Sequence, residues 1–111
     1  MTIGRGFIPF PLLRRDMKIK TTHYGECTVT KGYYPSNGNM WLTLTDADGQ
    51  QVTMITTNII PMDKNEFCGN INNMGITLWN DLLASGLFEQ TKENFPSGYA
   101  QYPVCKMLVE L

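Results

Sequence analysis

Apolar and polar positions alternate most cleanly between Met40 and Ile59. Met40 to Asp46 and Gln51 to Ile59 read as two strands flanking Asp48-Gly49, a dipeptide preferred at the centre of a two-residue type I′ hairpin. With that turn, Leu44 faces Thr53, Leu42 faces Ile55 and Met40 faces Thr57. Met40, Leu42, Leu44 and Ile55 then share a core face, while Trp41, Thr43, Val52 and Met54 share the other, which presents an exposed-looking tryptophan.

Upstream, Met17 to His23 is a short strand and Glu26 to Tyr34 a longer one, rich in β-branched and aromatic residues and ended by the turn cluster Pro35-Ser36-Asn37-Gly38. Downstream, residues 61–73 are polar and Asn-rich and read as a loop. The period then changes: Ile76, Trp79, Leu82, Leu83 and Leu87 recur every three to four residues, predicting a helix over 74–86. Asn72 or Asn73 serves as its N-cap and Gly86 as its stop. Gln90 to Gly98 reads as a second loop. Tyr99 to Leu111 is extended, with apolar residues on both faces, as in a strand covered from both sides. The expected fold is α+β, an antiparallel sheet of about five strands in the order β-β-β-β-α-β with one helix packed across one face.

Residues 1–16 have no usable period. Gly4, Gly6, Pro9 and Pro11 disfavour a helix, so the segment reads as an extended arm and residues 17–111 as a single domain beginning at Met17. Charge sharpens this division. The chain's net charge is −1, but residues 1–20 hold Arg5, Arg14, Arg15, Lys18 and Lys20 against Asp16 alone, so the acids concentrate in the body. A basic arm on an acidic body suits an acidic partner. The apolar stretch Phe7 to Leu13 is broken by prolines and precedes its arginines, the reverse of a secretory signal, and no apolar run is long enough to span a bilayer. The expectation is a cytoplasmic protein with no membrane partner.

The residues that carry chemistry do not assemble into a motif. Cys27, Cys68 and Cys105 are odd in number and widely spaced, which suits reduced thiols better than a disulfide framework. His23 and Cys27 form the sole close pair of zinc-ligand types, and no second pair completes a site. Asp46 and Asp48 lack the later ligands of a calcium loop, and Gly4 and Gly6 are neither preceded by a strand nor followed by a helix, as a dinucleotide fingerprint requires. No nucleophile elbow or phosphate loop is present. The expectation is a non-catalytic protein without cofactor or metal.

Binding is the remaining class. Arg5, Phe7, Phe10, Arg14 and Arg15 in the arm, together with Trp41, are the arginine and aromatic types that anchor protein interfaces. Nucleic acid is the alternative partner: the basic arm supplies phosphate contacts and Tyr24, Tyr33, Tyr34 and Trp41 supply stacking groups, against which stands a pI near 5.7.

Several local features recur together. Tyr33-Tyr34 precedes Asn37-Gly38; Trp41-Leu42-Thr43-Leu44 follows with Asp46 and Asp48-Gly49; Thr57-Asn58-Ile59 ends the strand. Asn72-Asn73-Met74-Gly75, Leu82-Leu83-Ala84-Ser85-Gly86-Leu87 and Ser97-Gly98-Tyr99 with Pro103-Val104-Cys105 complete the set. From Tyr24 to Met107 the chain resembles a family of small bacterial proteins of unassigned function carried by conjugative elements and phages of gut bacteria. Acids are frequent in that family at the start of the helix, where this chain has asparagines. The resemblance carries no active site. It implies a small non-catalytic protein that binds a host or element-encoded protein complex, such as an inhibitor of a host defence complex in the manner of an anti-CRISPR protein.

Overall fold

The computed structural model describes residues 17–59 and 62–111. In it the alternation around Met40 becomes a strand at the heart of the first of two sheets. β1 (Met17–Thr21), β2 (Gly25–Tyr33), β3 (Met40–Thr45) and β4 (Gln51–Met54) form an antiparallel meander in that order. β5 (Thr56–Thr57), β6 (Glu66–Gly69), β7 (Phe88–Ser97) and β8 (Ala100–Met107) form a second antiparallel sheet, ordered β5-β6-β8-β7. The helices α1 (Ile71–Met74) and α2 (Ile76–Ala84) connect β6 to β7. The fold is α+β with antiparallel pairing; the expected single sheet of about five strands is replaced by two sheets of four.

The division into two sheets turns on Ile55. The expected strand Gln51 to Ile59 breaks there: the Ile55 N–H donates to the Leu42 carbonyl of the first sheet (2.8 Å), and the Ile55 carbonyl accepts the Asn70 N–H beside the second (2.9 Å). Thr56 Oγ1 fills the vacated ladder position by accepting the Leu42 N–H at 3.2 Å. A corner of this kind leaves the apolar period intact, so the pattern of side chains did not register it.

The hairpin turn also differs from the expected two-residue form. Asp46 is its hub: its N–H donates to the Gln50 carbonyl, and its Oδ1 accepts the N–H groups of Asp48 (3.0 Å) and Gln50 (2.9 Å). The loop is Ala47–Gly49, with Gly49 at φ +85°, the left-handed position such a loop demands. The register moves from Thr45–Gln51 to Leu44–Thr53, so Val52 is a bulge residue. Val52 consequently packs against the core instead of lying with Trp41 and Thr43.

Two expected loops contain strands. Within 61–73, Glu66–Gly69 is β6 and Ile71–Met74 is a short helix, with Phe67 and Cys68 buried. Four residues are too few to display a period, and the flanking asparagines imitate a solvated loop. Those asparagines are structural: Asn70 Nδ2 donates to the Met54 carbonyl (3.0 Å), and Asn73 Nδ2 donates to Asn70 Oδ1 (2.9 Å). Gln90 to Gly98 is mostly strand as well, because β7 is an edge strand whose side chains are largely exposed and therefore polar. Its pairing slips between Gln90 and Asn94, where Thr91 Oγ1 donates to the Val104 carbonyl at 2.8 Å.

The helix α2 begins later than expected. Its N-cap is Gly75, and neither Asn72 nor Asn73 caps it: Asn72 Nδ2 reaches the Gln101 carbonyl (3.3 Å) and Asn73 reaches Asn70. Gly86, at φ +81°, follows the C-cap Ser85 as the expected stop. Ile76 points outward (62% exposed), and Leu78 joins Trp79 and Leu82 in the core instead. These three meet Ile19, Val29, Leu42 and Leu44 of the first sheet and Phe67, Phe88 and Cys105 of the second in one cluster. Phe88 stands 5.1 Å from the rings of both Phe67 and Trp79, a spacing favourable to aromatic edges.

Candidate partner-binding surface

The register of the first sheet decides what its outer face carries. Ile19, Cys27, Val29, Leu42 and Leu44 turn inward, so Lys18, Lys20, Glu26, Thr28, Thr30, Gly32, Trp41, Thr43, Thr45 and Met54 turn outward, with Lys20 opposite Glu26. Lys18 sits opposite Thr28, which sits opposite Thr45; Thr30, Thr43 and Met54 form the neighbouring row, and Gly32 faces Trp41. The result is a threonine-rich sheet face with two exposed lysines at one edge and a tryptophan at the far end.

Trp41 is half-buried. A Cβ built on Gly32 would overlap its six-membered ring, so the indole lies flat over the bare backbone of the adjacent strand. The ring covers a glycine that would otherwise weaken β2 and still presents one side outward. Of the predicted anchors, Trp41 alone lies in the described part of the chain. Arg5, Phe7, Phe10, Arg14 and Arg15 lie outside the described residues, as does the whole proposed arm.

β1 is tied to α2 by one carboxylate. Asp81 Oδ2 accepts the Thr22 N–H at 2.8 Å and Oδ1 accepts the Thr22 hydroxyl at 2.9 Å. Both oxygens are thus engaged, and the strand that follows the arm is held at a fixed position. Sequence reading gave Asp81 no role, because the contact joins residues 59 apart in the chain.

The second sheet has a different outer face. A groove of about 410 Å³ is lined by Met62, Asp63, Glu66, Glu93, Asn94, Phe95 and Val104. The slipped pairing at residues 91–93 brings Glu93 to its rim. Lys106 stands between Glu66 and Glu89 in register and partly offsets the acids. The outer face of the first sheet thus carries Lys18 and Lys20 with Glu26, and that of the second carries the groove carboxylates with Lys106.

The thiols are buried and free. Burial, and then the neighbouring Cys68, push the Cys105 thiol up to about 12, and burial raises Cys68 as well. Both are therefore neutral and poor nucleophiles near pH 7. Cys27 Sγ points at the carbonyls of Tyr24 and Gly25 (3.7 and 3.8 Å), while His23 is exposed in the turn after β1. Among the described residues, no group of three His, Cys, Asp or Glu side chains is placed to hold a metal ion. No described helix is long and apolar enough to cross a membrane. Tyr24 and Tyr33 are exposed, and Lys31 Nζ lies 5.2 Å over the Tyr33 ring.

No family model matches the chain, and comparison with curated proteins and with solved structures gives no match.

Proposed function

We propose that this chain is a non-catalytic protein-binding factor of the kind carried by conjugative elements and phages, acting in the host cytoplasm. It binds a host or element-encoded complex and inhibits it by steric occlusion, in the manner of an anti-CRISPR protein. The observation that supports this reading is the outer face of the first sheet. Lys18 and Lys20 share that face with Trp41, and Arg14 and Arg15 precede them in the sequence. The face thus presents basic and aromatic side chains of the anchor type on a rigid scaffold.

The test is affinity capture from a bacterial lysate, with and without nuclease, comparing residues 1–111 with residues 17–111 after checking that both are folded. A stoichiometric protein partner that survives nuclease and weakens on truncation is expected. Failure to recover any protein with the full chain counts against the reading.

Nucleic acid is the second reading, favoured by the same lysines. They follow the basic run of residues 1–16 in the sequence and share a face with a tryptophan, which suits phosphate contact and base stacking. Its mark is recovered nucleic acid whose binding falls steeply with salt and is lost on removal of residues 1–16.

A further inference from the structure

β1 is bonded to β2 along one edge, and no described strand pairs with its other edge. An open groove of about 290 Å³ runs beside it, lined by Met17, Lys18, Ile19 and Lys20 on one side and by Asp81, Ala84 and Ser85 on the other. Thr22, just past the strand, shows which way the backbone points: its N–H faces α2 and donates to Asp81 Oδ2. Strand backbone repeats every two residues, so the N–H groups of Lys20 and Lys18 face the same side. The groove is therefore walled on one side by main-chain groups that pair with no strand among the described residues, and on the other by the end of a helix.

We propose that this edge receives an extended acidic segment of a partner protein, which adds a strand to the first sheet. The inference rests on the protein-binding reading and specifies how the partner is held. Main-chain hydrogen bonds to Lys18 and Lys20 supply the pairing, as in other cases of strand addition. Charge selects the occupant. Lys18 and Lys20 are exposed on the outer face; Lys20 already stands opposite Glu26, whereas Lys18 stands opposite Thr28, and the carboxylate across the groove is engaged by Thr22. Acidic side chains on the added strand would stand beside the two lysines on that face. A second copy pairing β1 with β1 would instead bring four lysines together, which is unfavourable. Lysines on an edge strand block self-association, and here they leave the edge open to a strand of opposite charge.

The experiment uses the full chain, labelled with ¹⁵N, and a ten-residue peptide with blocked ends that alternates glutamate and valine. A lysine–valine peptide of the same length is the control. The glutamate peptide is expected to slow amide exchange at Lys18 and Lys20 at least tenfold and to bind at least tenfold more tightly than the control. The double variant Lys18→Glu/Lys20→Glu is expected to lose at least tenfold in affinity. Lys20→Pro removes one outward N–H at an edge position where proline is tolerated, and is expected to abolish binding with an unchanged melting temperature. If Lys20→Pro does not fold, the charge-reversed double variant decides the matter. Absence of binding, equal binding of the control, protection confined to another strand, or wild-type affinity in the variants would overturn the proposal. Any of these results, with partner capture by the full chain intact, would leave the protein-binding reading standing and remove only this mode of contact.

Discussion

Two glycines in this fold lie beneath tryptophans, and the same substitution has different consequences at each. A Cβ on Gly69 would overlap the Trp79 ring, as one on Gly32 would overlap Trp41. Trp79 is 1% exposed and donates Nε1–H to Gln90 Oε1 at 3.0 Å, so it has nowhere to move. Trp41 is half-buried on an outer face and can swing aside. Gly69→Ala should therefore cost about 1–3 kcal/mol, the usual penalty of overpacking, and Gly32→Ala distinctly less. Urea unfolding of the two variants checks the order. Neither glycine announces its role in the sequence, because the tryptophan above each comes from another element.

The thiols make a second prediction at this scale. Folding raises Cys105 from about 9.0 to about 12, so between those values the unfolded chain releases the proton first. Its contribution to stability is complete below about pH 9 and is lost as pH rises toward 12. The melting temperature should fall over that window, and the fall should be shallower in Cys105→Ala than in the wild type. An equal slope in both would show that this thiol does not carry the effect.

At the scale of elements, the contact between Asp81 and Thr22 joins α2 to the turn after β1. Asp81→Ala removes two hydrogen bonds at an exposed site and should cost about 1 kcal/mol. It should also raise amide exchange at Thr22 selectively, which hydrogen-exchange spectra would show. Elements with a long, one-sided pattern were legible: β2, β3 and α2 follow from their own alternation or helical period. Elements whose character is set by neighbours were not. β6 is four residues among asparagines; it pairs with β5 and β8, and Phe67 is buried by packing on Phe88 of β7. β7 is an edge strand, polar because few of its side chains meet the core, and so it resembled a loop. The hairpin turn lies between Asp46 and Gln51 as expected, but the expected two-residue turn at Asp48-Gly49 is a three-residue loop, Ala47–Gly49, because the Asp46 side chain accepts two backbone N–H groups.

At the scale of the whole molecule, the split into two sheets depends on the single residue Ile55, which bonds to both. Because the fold turns a corner there, the two outer faces carry different chemistry: Lys18, Lys20, Glu26 and Trp41 on one, and a carboxylate-lined groove with Lys106 on the other. The charge asymmetry was legible in the sequence, whereas which residues share a face required the topology. Trp41 was identified correctly as an outward residue, but its role in covering Gly32 arises only from the register of β2 and β3. The claim that rests on this arrangement is that the basic and aromatic face binds a protein. It is tested most directly by measuring the affinity of the captured, nuclease-treated partner for the wild type, for Trp41→Ala and for Arg14→Ala/Arg15→Ala, with unfolding curves run in parallel. The account predicts that each variant stays folded and binds at least tenfold more weakly. Wild-type affinity in both folded variants would contradict it.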